Sequence, residues 1–138
     1  MAYTLFAEKN RVAWLGVRPG VYGAQIFVSF AANNATVVGY TVPAGKTLLL
    51  TRSRLSVFSS AALVGSGIIQ VYNTVPALLG NLHLMTLMIA GQSLSENSDR
   101  YFPLELETGW TVKIVSSAAS AYAEGTIEGI LVNPLEQV

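Results

Sequence analysis

The sequence contains no cysteine, one histidine and one aspartate. Without cysteine the chain forms no disulfide bond and offers no thiolate to a metal ion, and the redox environment is left open. Histidine metal motifs and aspartate pairs are also missing, because His83 and Asp99 each stand alone. These absences predict a protein with no metal site and no cofactor.

The chain also contains few charged residues. Charged residues make up 12% of the chain, about half of the roughly 25% that is usual in soluble domains. None occurs over residues 19–45 or 55–95. Eight basic residues balance eight acidic ones, so the chain has no electrostatic attraction for nucleic acid or for an acidic membrane surface.

Long apolar runs are missing as well, although 51% of the residues are hydrophobic. A helix that spans a bilayer needs about 20 nearly continuous apolar residues, and glycine, serine, asparagine or proline interrupts every candidate run. The N-terminus lacks the basic start and the apolar core of a signal peptide. We therefore predict no membrane partner, synthesis and assembly in the cytoplasm, and apolar surface that one small core does not bury.

Residues 40–59 define the local structure most clearly. Pro43 removes a backbone donor and fixes φ, and Gly45 permits a turn that a side chain would hinder. From Thr47 the residues are typical of a long strand that is apolar on both sides, so both faces need cover. Alternation at period two assigns Leu49, Leu55 and Val57 to one face, and Leu48, Leu50, Arg52, Arg54 and Phe58 to the other.

The whole pattern predicts an all-β protein, a single antiparallel β-sandwich of about eight strands that is jelly-roll-like. Residues 82–89 have high helix propensity, but their place among strands favours a strand. Residues 31–35 and 107–110 are predicted as turns and residues 90–100 as a polar connection, and Pro103 marks a sheet edge or a strand start. The other predicted strands cover residues 21–30, 36–42, 47–59, 68–72, 101–106, 111–115 and 126–132.

Residues 1–20 alternate poorly and end in Arg18-Pro19-Gly20, which is a turn signal. We interpret them as an extended N-terminal arm or edge segment that precedes a β-sandwich domain over residues 21–138. The sequence leaves open whether this segment pairs within its own subunit or lies on a neighbouring one. The candidate interface residues are Tyr3, Leu5, Phe6, Trp14, Arg52 and Arg54.

No catalytic constellation is evident in the sequence. A hydrolase of the Ser-His-Asp kind needs a base beside its nucleophile, and His83 lies among leucines, where a structural or interface role is expected. Glu105 and Glu107 share one strand face. They form either a paired acid site or a solvated edge that faces Lys113 or an arginine. We predict that the protein is not an enzyme.

Arg52 and Arg54 also lie two residues apart on one strand face. A guanidinium group makes bidentate pairs with carboxylates, so both side chains are candidates to meet acidic or carbonyl groups of a neighbouring subunit. The alternative is that they flank the apolar strand and protect it from aggregation.

Tryptophan and tyrosine residues scattered along the chain offer another kind of surface. Exposed aromatic rings stack on saccharides, but such a site also needs converging polar groups. Packing in a core or at an interface is the more common role of these side chains. They are Trp14, Tyr22, Tyr40, Tyr72, Tyr101, Trp110 and Tyr122.

Three motifs resemble those of small β-sandwich structural proteins of tailed bacteriophage particles. They are YTVPAGKTL at residues 40–48, PLELETGWTVKI at residues 103–114 and GTIEGILV at residues 125–132. The likeness covers residues 37–132. In such families these motifs are strands and turns at the edges of the sandwich, so the resemblance carries over no active site.

The resemblance implies a non-enzymatic virion structural protein, assembled in the host cytoplasm. The leading expectation is a capsid decoration (cementing) protein that binds the capsid surface as a homo-oligomer, with a trimer favoured; a small tail or head–tail component is also implied. The partners would be copies of the chain itself and the major capsid protein or another virion protein. The N-terminal segment looks like the extensions by which decoration proteins attach to their neighbours.

The alternative function belongs to a different class. A carbohydrate- or receptor-binding β-sandwich module of a phage tail or fibre would present two or more aromatic side chains, clustered and exposed beside polar groups.

Overall fold

The computed structural model describes residues 23–59, 65–87, 91–117 and 121–133. These residues form eight strands in two antiparallel sheets, and they contain no helix. The predicted all-β sandwich of about eight strands is confirmed. The strands are β1 (Ala24–Asn33), β2 (Thr36–Thr41), β3 (Thr47–Ser59), β4 (Gly65–Tyr72), β5 (Leu78–Leu87), β6 (Ser93–Leu106), β7 (Thr111–Ser116) and β8 (Ala121–Val132).

The strand order is that of a jelly roll. The first sheet has the order β1-β8-β3-β6 and the second has the order β2-β7-β4-β5. Only the β4–β5 connection stays within one sheet, and every other connection crosses between the two layers. As a result β1 and β6 are the edges of the first sheet, while β2 and β5 are the edges of the second.

The core lies between the inward faces of the two sheets. Strands β4 and β7 alternate strictly between buried and partly buried residues, as expected when one face packs inward. The two sheets approach closely at Gly67, where a Cβ atom would overlap the side chain of Val57. The largest fully buried side chains of this core are Leu48, Leu50, Leu55, Ile69, Leu87, Leu106, Ile114 and Ile127.

Strand β3 changes the face that it buries halfway along its length. Leu48 and Leu50 belong to the same core cluster as Leu55 and Val57, although odd and even positions alternate along a regular strand. Leu49 belongs to a separate, small cluster on the opposite side of the sheet.

A β-bulge at Thr51 causes this change. The register against β8 passes from Leu50 opposite Gly129 to Arg52 opposite Glu128, so Thr51 is one extra residue on β3. The Thr51 hydroxyl donates a hydrogen bond to the carbonyl of Glu128 at 3.2 Å. The prediction of one unbroken alternation, with the leucines before the bulge on the face of the arginines, is wrong because a one-residue shift exchanges the two faces.

Most local predictions are confirmed, and one is wrong. Residues 82–87 of the strand predicted over residues 82–89 lie in β5, residues 88 and 89 lie outside the described residues, and Pro103 lies on the edge strand β6. The turn after β6 closes with a hydrogen bond from Trp110 N to the carbonyl of Glu107 at 3.1 Å. The predicted polar connection over residues 90–100 instead contributes most of the first half of β6. Its polar side chains suit a strand because they pair with those of β3, as in the 2.8 Å contact between the hydroxyls of Ser56 and Ser95.

The predicted turn at residues 31–35 begins later than expected. Strand β1 continues to Asn33, and the chain reverses at Asn34, whose φ of 48° is left-handed. The predicted N-terminal arm over residues 1–20, with Tyr3, Leu5, Phe6 and Trp14, lies outside the described residues. No helix in the described ranges has the length and hydropathy needed to cross a bilayer.

Candidate functional site

The outward side of the second sheet carries a group of apolar side chains among polar ones. Ile68 of β4 lies between Leu84 of β5 and Val115 of β7 in one row across the strands. Leu84 and Val38 remain 55% and 54% exposed. We call this side the second-sheet face, and its residues are Thr36, Val38, Ser66, Ile68, Gln70, Tyr72, Leu78, Asn81, Leu84, Thr86, Thr111, Lys113 and Val115.

Lys113 is the only charged residue in the four strands of the second sheet. It lies on β7 between Val38 and Gln70. Its ammonium group is 4.3 Å from the centre of the Tyr72 ring, which is a cation–π contact. The second-sheet face therefore combines an apolar row with polar side chains and one positive charge near its centre.

The outward side of the first sheet has a different character. Arg52 Nε lies 2.6 Å from Asp99 Oδ1, and Arg52 Nη1 lies 3.7 Å from Glu128 Oε2. The hydrogen bond to Asp99, followed by the charges of both acids, raises the pKa of Arg52 above its ordinary value. Arg54 makes no ion pair with the described residues. Arg52 thus has its carboxylate partners within its own sheet, and an interface role for either arginine stays a prediction.

An aromatic pair lies farther along the same outward side. Phe58 of β3 is opposite Tyr122 of β8, and both are partly exposed. The hydrogen bond from the Tyr122 hydroxyl to Glu124 raises the pKa of Tyr122 above its ordinary value. We call this side the first-sheet face, and its residues are Phe27, Arg52, Arg54, Ser56, Phe58, Asp99, Tyr122, Glu124 and Glu128.

The remaining described aromatic residues do not form a platform. Trp110 and Tyr40 pack against the core, and Tyr72 lies beneath Lys113. Tyr101 is exposed on β6, on the first sheet. Trp14 and Tyr22 lie outside the described residues.

A buried polar chain joins the two sheets through His83. His83 is 2% exposed, its Nε2 lies 2.8 Å from the Ser53 hydroxyl, and its Nδ1 lies 2.7 Å from Glu96 Oε1. An ionised carboxylate only accepts hydrogen bonds, so Nδ1 donates to Glu96 and, in the neutral ring, Nε2 accepts from Ser53. The structure places His83 in the interior with both nitrogens bonded, as a structural side chain requires.

The order serine, histidine and carboxylate is also that of a hydrolase triad. A nucleophile must reach its substrate, whereas Ser53 lies on the inward side of β3 and is fully buried. Sequence reasoning missed the grouping because its members are 30 and 13 residues apart and on three different strands. Among the described residues no group of histidine and acidic side chains is suited to hold a metal ion.

Strands β5 and β6 form one edge of the sandwich, and both carry exposed apolar side chains. The His83–Glu96 hydrogen bond holds these two edge strands side by side. Strand β5 begins at the end of the sandwich at which β6 ends. Leu78, the first residue of β5, lies opposite Tyr72, and Tyr72 lies opposite Thr111, which follows the turn after β6. Among these exposed apolar side chains are Leu78, Leu79, Tyr101 and Leu104, which are 50%, 48%, 69% and 36% exposed.

Two acidic residues lie at the end of β6. Glu105 is opposite Leu49, on the outward side of the first sheet, and Glu107 begins the turn after the strand. Partial burial, and then the charge of Glu107, raise the pKa of Glu105 above its ordinary value of 4.5. Neither acid has an ion pair within the described ranges, and Lys113, offered by the sequence as a partner, lies over Tyr72 on the other sheet.

Replacing Glu105 with glutamine is expected to stabilise the isolated chain at pH 7. A carboxyl whose pKa is raised on folding favours its protonated form in the folded state, so it lowers stability as the pH rises above 4.5. Below that pH the carboxyl is protonated in both states and the difference disappears. Urea titrations at high dilution measure the free energy of unfolding of the wild type and of Glu105→Gln at pH 7 and at pH 3. An equal effect at the two pH values would contradict this assignment.

No family of known proteins and no curated protein matches the sequence. Among solved structures, the fold is similar to two pentameric capsid proteins isolated from metagenomic phage sequences. Each is 20% identical with a TM-score of 0.47, over 81% of this chain. The match covers 66% and 65% of those capsid chains, so this chain spans just under two thirds of their length.

The fold is also similar to proteins of other kinds. Eiger TNF from S. frugiperda is 8% identical with a TM-score of 0.49, over 85% of this chain and 99% of that one. A carbohydrate binding module from Cel9A of Ruminococcus flavefaciens FD-1 is 9% identical with a TM-score of 0.38, over 75% and 98%. At these values the similarity concerns the β-sandwich architecture and assigns no function.

Proposed function

We propose that the chain is a non-enzymatic structural protein of a virus particle, and specifically a capsid decoration protein that binds the capsid surface as a homo-oligomer, with a trimer favoured. The observation that carries this proposal is the second-sheet face. It presents the apolar side chains of Val38, Ile68, Leu84 and Val115, of which Val38 and Leu84 are about half exposed, and its only charge is Lys113.

A surface of this kind is suited to permanent contact. Monomeric soluble proteins rarely expose large continuous apolar patches. Burying apolar surface contributes about 25 cal/mol per Å², and a stable interface removes about 800 Å² per partner from water. The low charge content of the chain, 12%, fits a protein whose outer surface is partly covered by other subunits.

The finer parts of the proposal rest on other observations. The three motifs that resemble those of phage β-sandwich proteins support a virion location after assembly in the host cytoplasm, with the major capsid protein or another virion protein as the partner. The burial of Ser53 supports the absence of hydrolase activity, because no substrate reaches a nucleophile between two closed sheets.

Replacing Leu84 with aspartate is expected to disperse the oligomer into monomers. The substitution places a charge in the middle of an apolar contact, while the exposed position leaves the fold intact. Sedimentation velocity of the full chain measures the assembly state, and circular dichroism checks the fold. Phe27→Asp, at a similarly exposed apolar position on the opposite sheet, is the matched control. A wild-type chain that remains monomeric at high concentration would contradict the proposal.

The decoration role has its own test. The full chain is mixed with shells assembled from the major capsid protein of the same virus and sedimented through a gradient. A decoration protein sediments with the shells in a fixed ratio, and Leu84→Asp shows whether binding depends on the oligomer. A wild-type chain that stays at the top of the gradient would argue against decoration.

The paired rings of Phe58 and Tyr122 favour one alternative, a carbohydrate- or receptor-binding module. They lie beside Glu124 and Ser56, which offer hydrogen-bonding groups next to an aromatic surface. A glycan array that shows binding by the wild type, lost in Tyr122→Ala, would support this function over the decoration role.

A further inference from the structure

Strands β4 and β5 form a hairpin, and the residues at its turn are apolar and exposed. They are Val75, Pro76, Ala77, Leu78 and Leu79, which we call the hairpin tip. Val75 is 78% exposed, more than any other large hydrophobic side chain that the structure describes. We propose that the hairpin tips of three copies pack against one another on the threefold axis of the oligomer. The inference rests on the proposed function, and it names the part of the chain that lies on the axis.

Hydrogen bonds hold the hairpin tip in one conformation. The side-chain oxygen of Asn73 accepts hydrogen bonds from Val75 N at 3.0 Å and from Ala77 N at 2.8 Å. The backbone N of Asn73 donates to the carbonyl of Ala77 at 3.0 Å. Pro76 fixes one φ angle of the same loop, and the turn after β6 packs against the loop at Thr74. A loop that is already ordered loses little conformational entropy when it binds.

Exposed apolar side chains are concentrated on this hairpin. Of the ten exposed large hydrophobic side chains in the described ranges, four lie within residues 75–84, namely Val75, Leu78, Leu79 and Leu84. Leu78 and Leu84 belong to the second-sheet face, and the tip continues that face past the last residue pair of the hairpin. An interface on the second-sheet face therefore reaches the hairpin tip at Leu78.

The absence of charge makes the hairpin tip suitable for a rotation axis. An axis brings identical residues together, so a surface on the axis must be compatible with its own copy. A contact centred on Lys113 would bring like charges together, and acidic side chains outnumber the arginines on the first-sheet face. The hairpin tip has no charge, and neither has any other residue from 55 to 95. Its copies pack as apolar groups without electrostatic repulsion.

Lys113 stays away from the axis in this arrangement. It lies on β7, and β4 separates β7 from β5, so two strand spacings of about 10 Å in total lie between Lys113 and the strand that carries the tip. The lysine is then at the rim of the contact, where water and salt screen its charge. The single charge of the second-sheet face is therefore compatible with a trimer that is closed by the hairpin tips.

Single cysteines test the axis directly, because the chain has no cysteine of its own. A disulfide bond requires Cα atoms within about 7 Å of each other. Mild oxidation of full-length Val75→Cys is expected to link the copies in pairs. Because three thiols meet on the axis and a disulfide uses two, about one third of the thiols are expected to stay free in a thiol titration.

Ala44→Cys is the matched control for this experiment. Ala44 is exposed in the turn between β2 and β3, at the same end of the sandwich as the hairpin tip. Strand β2 is three strand spacings from β5, which is about 14 Å. The thiols of Ala44→Cys are therefore expected to stay free under the same conditions.

A charge on the axis gives a second measurement. Val75→Asp is expected to weaken association by about tenfold or more, because it brings three carboxylates together among apolar groups. Ala44→Asp is expected to leave association unchanged. Sedimentation velocity of the full chain over a concentration series measures both variants, and circular dichroism checks that each is folded.

The possible results separate this inference from the proposed function. If the wild type is an oligomer but Val75→Cys forms no disulfide, or if Ala44→Cys is linked as readily, the hairpin tip is not on the axis and the inference alone is wrong. Consumption of every thiol of Val75→Cys would mean that the tips meet in pairs, which also overturns it. If Val75→Asp leaves the oligomer intact but no longer sediments with shells, the tip binds the capsid instead. A wild type that is monomeric throughout overturns the proposed function and the inference together.

Discussion

Replacing Leu50 with alanine is expected to lower the free energy of unfolding by about 2–5 kcal/mol. Leu50 is fully buried between the sheets and contributes to the main core cluster. Truncation removes its contacts and leaves a cavity that the β-ladders on both sides of β3 prevent from collapsing. Urea unfolding followed by tryptophan fluorescence measures the loss.

Arg54→Ala is the control for this experiment, because it lies on the same strand, points outward and makes no ion pair with the described residues. Its effect is expected within about 0.5 kcal/mol. The comparison tests the bulge directly, since an unbroken strand puts both positions on one face. A small loss for Leu50→Ala, similar to that for Arg54→Ala, would show that Thr51 is not an extra residue.

Replacing His83 with leucine is expected to cost about 1–3 kcal/mol, although it adds apolar surface to the core. The substitution removes the side chain that, among the described residues, hydrogen-bonds the fully buried Ser53 hydroxyl. An unsatisfied buried hydroxyl loses its hydration and gains nothing in return. It also releases Glu96, the contact that holds β6 beside β5.

A double-mutant cycle separates these effects. Ser53→Ala alone leaves His83 Nε2 without its partner, so it is expected to destabilise by a similar amount. The double variant Ser53→Ala/His83→Leu replaces both polar groups with apolar ones and is expected to recover most of the loss. Strictly additive single effects would show that the Ser53–His83 hydrogen bond contributes nothing to stability.

The sequence was sufficient for the strand count and for most of the turns. Pro43 and Gly45 place one reversal, and Gly109 before Trp110 places another, because proline fixes φ and the two glycines adopt the positive φ that these turns require. The bulge at Thr51 was not predictable in this way. The bulge is visible only in the register between β3 and β8. A threonine between a leucine and an arginine has no local preference that predicts a bulge.

Strand β6 shows a related limit of sequence reasoning. Its first half contains serines, acids and an asparagine, a composition that resembles a loop. It forms a strand because β3 presents Arg52 and Ser56 to it from the neighbouring position. Propensity describes a residue alone, whereas this strand depends on cross-strand partners that lie about 40 residues away.

The candidate sites likewise include one grouping that the sequence predicted and one that it did not. Glu105 and Glu107 were recognised as neighbours because two residues on one strand share a face. The chain through Ser53, His83 and Glu96 was not, since the order of the strands in the two sheets brings its members together. The composition predicted that some apolar surface stays outside the core. Only the register of the strands shows that part of this surface lies on the second sheet, around Lys113.

The pairing of β1 with β8 has a consequence for how the chain reaches this structure in a cell. The two strands are joined over ten residue pairs, from Ala24 with Leu131 to Asn33 with Tyr122. Strand β1 is ten residues long and has no charge and no proline, and until β8 is synthesised it lacks its only partner in the first sheet. Such long-range pairings form slowly, and an uncharged strand that waits for its partner is prone to pair with other chains. During translation the risk of aggregation is therefore concentrated at the start of the sandwich and ends only when its last strand leaves the ribosome.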